Sequence, residues 1–275
     1  MLKKLLKYDF QSVFKYWWII AVTSLVLSFV GGGSLSILTS DRDLPILLEI
    51  GSIFALILVV ISIIAFCITT AIFIYVRFYK NFFTDEGYLT FTLPVKRSQL
   101  LNSKLIMSVV LQFVAFLLYL LEIVIVVYIG LSDGILAEYV LPQLQNSLQI
   151  LWSNAGGYVI VYVLEILILL LLLFVFSTLF TFCCITFASI IAKKAKLLAA
   201  IGIYYGASSI YSFMVQMFYI FGLDYLIYKI SILDTATVVS IVAWGLFGMI
   251  SFISILCALL YTLQYWMLDR KLNLS

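Results

Sequence analysis

Apolar and polar positions do not alternate along this chain. Apolar residues come in long runs, near 17–38, 51–76, 105–131, 156–190, 198–221 and 239–266. A run of about 18 or more apolar residues is long enough to cross a bilayer as a helix. The runs lack the two-residue period of barrel strands, and backbone groups in lipid must pair internally, so each run predicts a helix. The expected fold class is an all-α integral membrane protein with six transmembrane helices. The fourth run is too long for one straight crossing, and 180–192 is expected to bend or to continue past the membrane. Residues 2–17 follow a different pattern. Leu2, Leu6, Phe10, Val13, Phe14 and Trp17 share one helical face, and Lys4, Lys7, Gln11 and Lys15 share the opposite one. This predicts an N-terminal amphipathic helix lying in the membrane interface. It forms an elbow over 1–16, ahead of a single six-helix transmembrane domain at 17–275. The elbow either braces a cytoplasmic partner or simply anchors in lipid, its lysines on anionic headgroups.

Composition excludes a soluble domain. The chain is 65% hydrophobic and 11% charged, with mean hydropathy +1.22, whereas soluble domains are about half apolar and about a quarter charged. The placement of charge then sets orientation. Lys3, Lys4, Lys7, Lys15, Arg77, Lys80, Lys96, Arg97, Lys104, Lys193, Lys194, Lys196, Arg270 and Lys271 all fall on one side of the predicted spans, which leaves only Arg42 and Lys229 for the other. The positive-inside rule puts both termini in the cytoplasm. Asp41, Asp43, Glu49, Asp133, Glu138, Asp224 and Asp234 fall outside. Trp17, Trp18, Trp152, Tyr265 and Trp266 lie near span ends, as interface aromatics do. The lysine-then-apolar N-terminus looks like a signal peptide, but no convincing small-x-small site follows, so the first helix is expected to stay uncleaved. Cys67, Cys183, Cys184 and Cys257 all sit in apolar runs and predict packing rather than disulfides. The chain has no histidine, so the commonest transition-metal ligand and the usual general base near neutral pH are missing. Neither a metal site nor a catalytic site is expected.

One stretch breaks the apolar pattern. Residues 77–104 read RFYKNFFTDEGYLTFTLPVKRSQLLNSK and carry seven of the 29 charged residues. Orientation puts this stretch in the cytoplasm. Thr84 or Asp85 is expected to cap a short helix, Gly87 to break it or admit a close neighbour, and Pro94 to stop any helix. Ser98 is expected to cap the helix that begins at Gln99 and enters the third span. A connector needs only a few polar residues. Rings such as Phe82, Phe83, Tyr88 and Phe91 would be costly to expose, so a protein partner or the headgroup layer is expected to cover them.

The run Asp85-Glu86-Gly87-Tyr88-Leu89-Thr90-Phe91-Thr92-Leu93-Pro94-Val95-Lys96-Arg97-Ser98-Gln99-Leu100-Leu101, followed by Lys104, resembles permease subunits of bacterial type-2 ABC exporters. There a similar "gYLtltLPvsr" stretch lies between the second and third spans. The six-span layout and the leading amphipathic helix are similar too. The resemblance implies that 77–104 holds a coupling helix seated in a separate ATPase. Asp85, Glu86, Gly87, Tyr88 and Leu89 would form or flank the contact, with Phe82 and Phe83 beside it. Pro94, Lys96 and Arg97 would shape the return to the membrane. Lys193, Lys194 and Lys196 are either a second, smaller contact or plain positive-inside charge. The resemblance also implies two ATPase copies and a second permease subunit, identical or paralogous. It implies a multi-pass protein of the bacterial cytoplasmic membrane exporting an amphipathic peptide, antimicrobial, lipid-like molecule or drug. The cavity of such exporters is lined mainly by the first, second and fifth spans. That makes Thr69, Thr70, Tyr204, Tyr205, Ser208, Tyr211 and Gln216 the candidates here.

No G-x-x-x-x-G-K-[ST] phosphate loop occurs, and Gly31-Gly32-Gly33-Ser34 lacks its lysine. ATP and Mg²⁺ are therefore expected on the partner, with no cofactor and no enzymatic activity in this chain. Membrane lipids are expected partners and nucleic acid is not. Gly202-x-x-x-Gly206 is a small-residue stripe that serves either packing within the chain or subunit pairing. Glu122 and Glu165 are intramembrane acids. They either contact a cationic substrate, relay protons or line the cavity, or they are largely protonated acids bonded to backbone, to each other or to hydroxyls such as Tyr119, Tyr128 or Tyr162. A different class of function is a non-transporting sensor or scaffold that docks a regulatory protein through 77–104. A secondary carrier is a further option, suggested by the two glutamates alone.

Overall fold

A computed structural model describes residues 2–40, 45–84, 87, 96–131, 138, 140–192, 196–218 and 235–270. Among the described residues the long helices run in order: α1 Leu2–Thr39, α2 Ile46–Phe83, α3 Arg97–Gly130, α4 Leu141–Ala155, α5 Tyr158–Ile191, α6 Lys196–Phe218 and α7 Thr235–Arg270. All but α4 are long and apolar enough to cross a membrane, matching the six expected runs. Their surface is inverted relative to a soluble protein. Large apolar side chains such as Leu47, Leu58 and Phe252 face outward, while Ser24, Ser28, Thr186, Glu122 and Gln264 are buried. Hydrocarbon is the solvent that such a surface needs.

The helices outrun the hydrocarbon. α1 has 38 residues, about 57 Å at ~1.5 Å per residue, against a core of about 30 Å. It is unbroken through residues 16 and 17, so the amphipathic first turns and the first span are one element. Lys3, Lys4, Lys7 and Lys15 are exposed. Of the expected apolar face, Val13 and Trp17 are buried, whereas Phe14 is exposed and stacks on Trp18. α3 starts at Arg97, two residues before the expected start. The Lys96 carbonyl accepts the Gln99 and Leu100 amides, so Ser98 lies inside the first turn and is not the cap. α5 runs unbroken from Tyr158 and ends where Ala192 turns extended.

Contacts divide the chain into two compact units. One comprises Met1–Arg77 and Ile106–Gln149, the other Phe78–Leu105 and Ile150–Ser275.

In the first unit, α1 lies against both α2 and α3. Its buried positions, Asp9, Val13, Trp17, Ala21, Ser24 and Ser28, recur every three or four residues. Trp17 is fully buried (0% exposed). Its Nε1–H donates to Thr70 Oγ1 at 3.0 Å, and its ring meets Phe66, which in turn meets Tyr119. Trp17 is thus a core residue rather than the interface aromatic that its place near a span end suggested. Farther along, the glycines let backbones approach. A Cβ on Gly31 would lie 2.7 Å from Val59 Cγ2, and one on Gly32 2.7 Å from Ile129 Cβ. The glycine run therefore serves helix packing, as small residues do in membranes. Thr39 Oγ1 closes that end by donating to the Gly130 carbonyl at 2.9 Å.

A Gly32→Val exchange drives its branch into β-branched Ile129, and overpacking of that kind costs about 1–3 kcal/mol. A lowered melting temperature in detergent is the expected result. Gly33→Val is the control, since a Cβ there meets nothing within 4 Å. Equal melting of the two variants would contradict this packing role.

In the second unit, α5 packs along α6 and α7. α5 and α7 run parallel. The Tyr162 hydroxyl donates to the Val239 carbonyl, and 24 residues on Gln264 Nε2 donates to Thr186 Oγ1 at 2.7 Å. The stripe at Gly202 and Gly206 faces open space, with nothing within 4 Å of a Cβ at either position.

Candidate functional site

The polar stretch 77–104 leaves α2 and enters α3, and from Phe78 onward it belongs to the second unit. At the first end, one turn spacing places Phe78 and Phe82 on the same face of α2. The Phe78 ring stacks on Phe182 of α5, with centroids 3.7 Å apart and planes 9° apart. Phe82 packs against Phe78 at 4.9 Å and is only 1% exposed. Phe82 was expected to be a ring in need of a partner's cover, yet its own chain buries it. Phe83 is half-buried. Thr84 follows the last turn of α2, and its Oγ1 donates back to the Lys80 carbonyl.

Gly87 folds back onto this end. Its N–H donates to the Thr84 carbonyl at 2.7 Å. A Cβ there would stand 2.8 Å from the Phe82 carbonyl carbon and oxygen, so no other residue fits without moving backbone. The close neighbour that Gly87 admits is the end of α2 itself.

At the second end, Lys96 and Arg97 begin α3. Arg97 Nη1 donates to the Asp269 carbonyl at 2.7 Å, to Asp269 Oδ1 at 2.8 Å and to the Leu268 carbonyl at 3.3 Å. A cation here meets the free carbonyls at the last turn of α7, where the helix dipole is negative. The Arg97–Asp269 pair is itself about half exposed and contributes little alone, on the order of 1 kcal/mol or less. Its importance is geometric. Leu100 and Leu101 are buried behind it, and the Tyr261 hydroxyl donates to Asn102 Oδ1 at 2.9 Å. The stretch thus has one end packed against α5 and the other bonded to the end of α7. Asp85, Glu86, Tyr88, Leu89 and Pro94 lie outside the described residues, as do Phe91, Lys193 and Lys194. Lys196 opens α6.

Sequence reasoning missed one contact beside this loop. Asp9 of α1 is buried and pairs with Arg77 at 3.4 Å. The amphipathic start of α1 is thereby tied to the residue from which the loop departs. A lone acid among four lysines was the available signal.

The cavity candidates divide between the units. In the first, Thr70 accepts the Trp17 indole and so is a packing residue, while neighbouring Thr69 is half-buried and donates to the Ala65 carbonyl. In the second, Tyr204 packs edge-on to Phe180, and Tyr211 tilts against Phe176. Tyr205, Tyr211 and Gln216 are exposed, and Ser208 is half-buried. A shallow apolar groove on α7, lined by Leu256, Leu259, Leu260, Thr262, Leu263 and Trp266, includes none of these candidates.

The two acids also differ. Glu122 of α3 is fully buried (0% exposed), with Oε1 2.6 Å from Ser24 Oγ. Ser24 Oγ also lies 3.0 Å from the Ala21 carbonyl. The single Ser24 hydroxyl proton is shared between two acceptors, Glu122 Oε1 and the Ala21 carbonyl. Glu122 Oε2 has no hydrogen-bond partner among the described residues. The Tyr119 hydroxyl adjoins Thr70 and Cys67 in the same cluster. Glu165 of α5 is half-buried beside Tyr162, and its Oε2 likewise lacks a partner among the described residues. Tyr128 is exposed. Among the described residues, no group of three or more Cys, Asp or Glu could hold a metal ion.

No protein-family model, curated protein or solved structure matches this chain.

Proposed function

We propose that the chain is the membrane-spanning permease subunit of an ATP-driven exporter, with ATP and Mg²⁺ bound by a separate cytoplasmic ATPase. One observation carries the reading: both ends of 77–104 are fixed to packed spans, through Phe78 on Phe182 and through Arg97 on the end of α7. A free connector needs no such anchors. A loop that receives a push does, because a displacement dissipates unless both ends bear on rigid elements. The resemblance of 85–104 to the coupling stretch of type-2 exporters supports the same reading, as does the missing phosphate loop.

In this mechanism two ATPases close on ATP and drive the loop toward the membrane. Phe78 and Phe82 bear on α5, and Arg97 draws on α7. The parallel α5–α7 pair then moves as one body, because bonds near both of its ends join it. A second permease subunit, identical or paralogous, completes the pathway in the bacterial cytoplasmic membrane, with both termini inside. The cargo is amphipathic: a peptide, antimicrobial, lipid-like molecule or drug.

The test is co-purification with the cytoplasmic ATPase that this reading requires, followed by Glu86→Ala and Tyr88→Ala. Each is expected to lower permease-stimulated ATP hydrolysis about tenfold, equivalent to ~1.4 kcal/mol of interface energy. If neither changes assembly or hydrolysis, the coupling assignment is wrong, and a sensor or scaffold reading takes its place.

A further inference from the structure

Helix α4, Leu141–Ala155, is absent from the expected layout, where 132–155 was a connecting loop. Pro142 is tolerated because it falls in the first turn. Leu141, Leu144, Leu148, Leu151 and Trp152 lie within an arc of about 100° at ~100° per residue, a stripe wide enough to cover one face. Gln143, Asn146, Ser147, Gln149, Ser153 and Asn154 occupy the rest, with Ile150 the single apolar intruder. Among the described residues the apolar arc is left uncovered: Leu148 is 64% exposed and Trp152 60% exposed.

We propose that α4 lies in the plane of the membrane, with the Leu144–Leu148–Trp152 arc in the acyl boundary and the Gln/Asn/Ser arc toward water. Three observations point to lipid rather than protein as the cover. First, α4 is joined directly to the bilayer. Gly156, in the left-handed region at φ 49°, and Gly157 turn the chain into α5, whose apolar run begins at Val159. The last turn of α4 therefore sits where hydrocarbon begins. Second, Trp152 occupies that turn, and headgroup-level sites favour tryptophan. Third, no residue from Tyr139 to Leu164 is charged. A helix solvated by water, or selected by a charged partner, would carry ions; one shared between acyl chains and neutral headgroups needs none. This contrasts with the lysine-bearing start of α1. The inference rests on the multi-pass membrane reading and is independent of the exporter reading.

The test uses the full chain in phosphatidylcholine vesicles, with Cys67, Cys183, Cys184 and Cys257 exchanged for alanine. Single nitroxides are placed through Leu144→Cys, Leu148→Cys, Gln143→Cys and Asn146→Cys. Collision with oxygen relative to a water-soluble nickel chelate is expected to be several-fold higher at 144 and 148 than at 143 and 146. Added anionic lipid should leave the pattern unchanged. Equal chelate access at all four sites would overturn the proposal, since α4 would then stand in water. Shielding of 144 and 148 from both reagents would also overturn it, by showing a protein cover such as a second copy. If the cysteine-free background does not fold, the native chain is compared with Trp152→Phe in vesicles of brominated lipid. Loss of a lipid-quenched component in Trp152→Phe supports the proposal, and its absence from the native chain refutes it.

Discussion

On the proposed exporter reading, Phe182→Ala is expected to leave the six spans inserted and the ATPase bound, but to abolish stimulated ATP hydrolysis and export. Phe182 is fully buried, and its ring lies flat on Phe78, the residue that follows Arg77 at the start of the polar loop. Truncating a buried Phe costs about 3–5 kcal/mol in soluble cores. Part of that is transfer from water, which lipid-embedded packing does not supply, so about 2–3 kcal/mol is the better expectation here. The loss falls on the wedge between loop and α5 rather than on insertion. Phe182→Leu should recover part of the activity. A double-mutant cycle on Phe78 and Phe182 should return a coupling of about 0.5–1.5 kcal/mol, the usual worth of an aromatic pair. Additive single losses, or full activity in Phe182→Ala, would detach α5 from the transmission path.

The second large effect concerns Glu122. Glu122→Lys is expected to prevent accumulation of the folded protein, because a cation there is buried without a counter-charge. Glu122→Ala should lower stability by about 2 kcal/mol, combining a lost interhelical bond of ~0.6–1.7 kcal/mol with a small cavity. Glu122→Gln should match the native protein in melting and in transport. Its amide oxygen can accept the Ser24 hydroxyl as Glu122 Oε1 does. Ser24→Ala should cost less than Glu122→Ala. A well-folded Glu122→Gln that no longer transports would show instead that the acid works as an acid.

Much of this architecture was legible in the residues. Hydrocarbon demands about 20 apolar residues per crossing, so six runs gave six helices. The ends were not legible, because helices that pass beyond the hydrocarbon regain polar faces and lose the signal. α4 was hidden for a related reason: its Leu144–Leu148–Trp152 stripe has helical spacing, but it is short and too polar to read as a span. Trp17 and Phe82 show the limit on single residues. Both sit near span ends, where sequence suggests an interface ring or a docking ring. Only partners distant in the chain, Thr70 for one and the Phe78–Phe182 stack for the other, make them core. The Ser24–Glu122 bond joins residues 98 apart and leaves no local trace. The glycine run was readable as unable to hold phosphate, but not as the seam of α1 with α2 and α3.

The central claim is that 77–104 receives a cytoplasmic ATPase and bears on α5 and α7. A photo-crosslinking phenylalanine analogue at position 88, in native membranes, tests it most directly. The account predicts a crosslink to the ATPase, with a yield that changes when a non-hydrolysable ATP analogue is added. A crosslink only to lipid, to this chain or to an unrelated protein would contradict it.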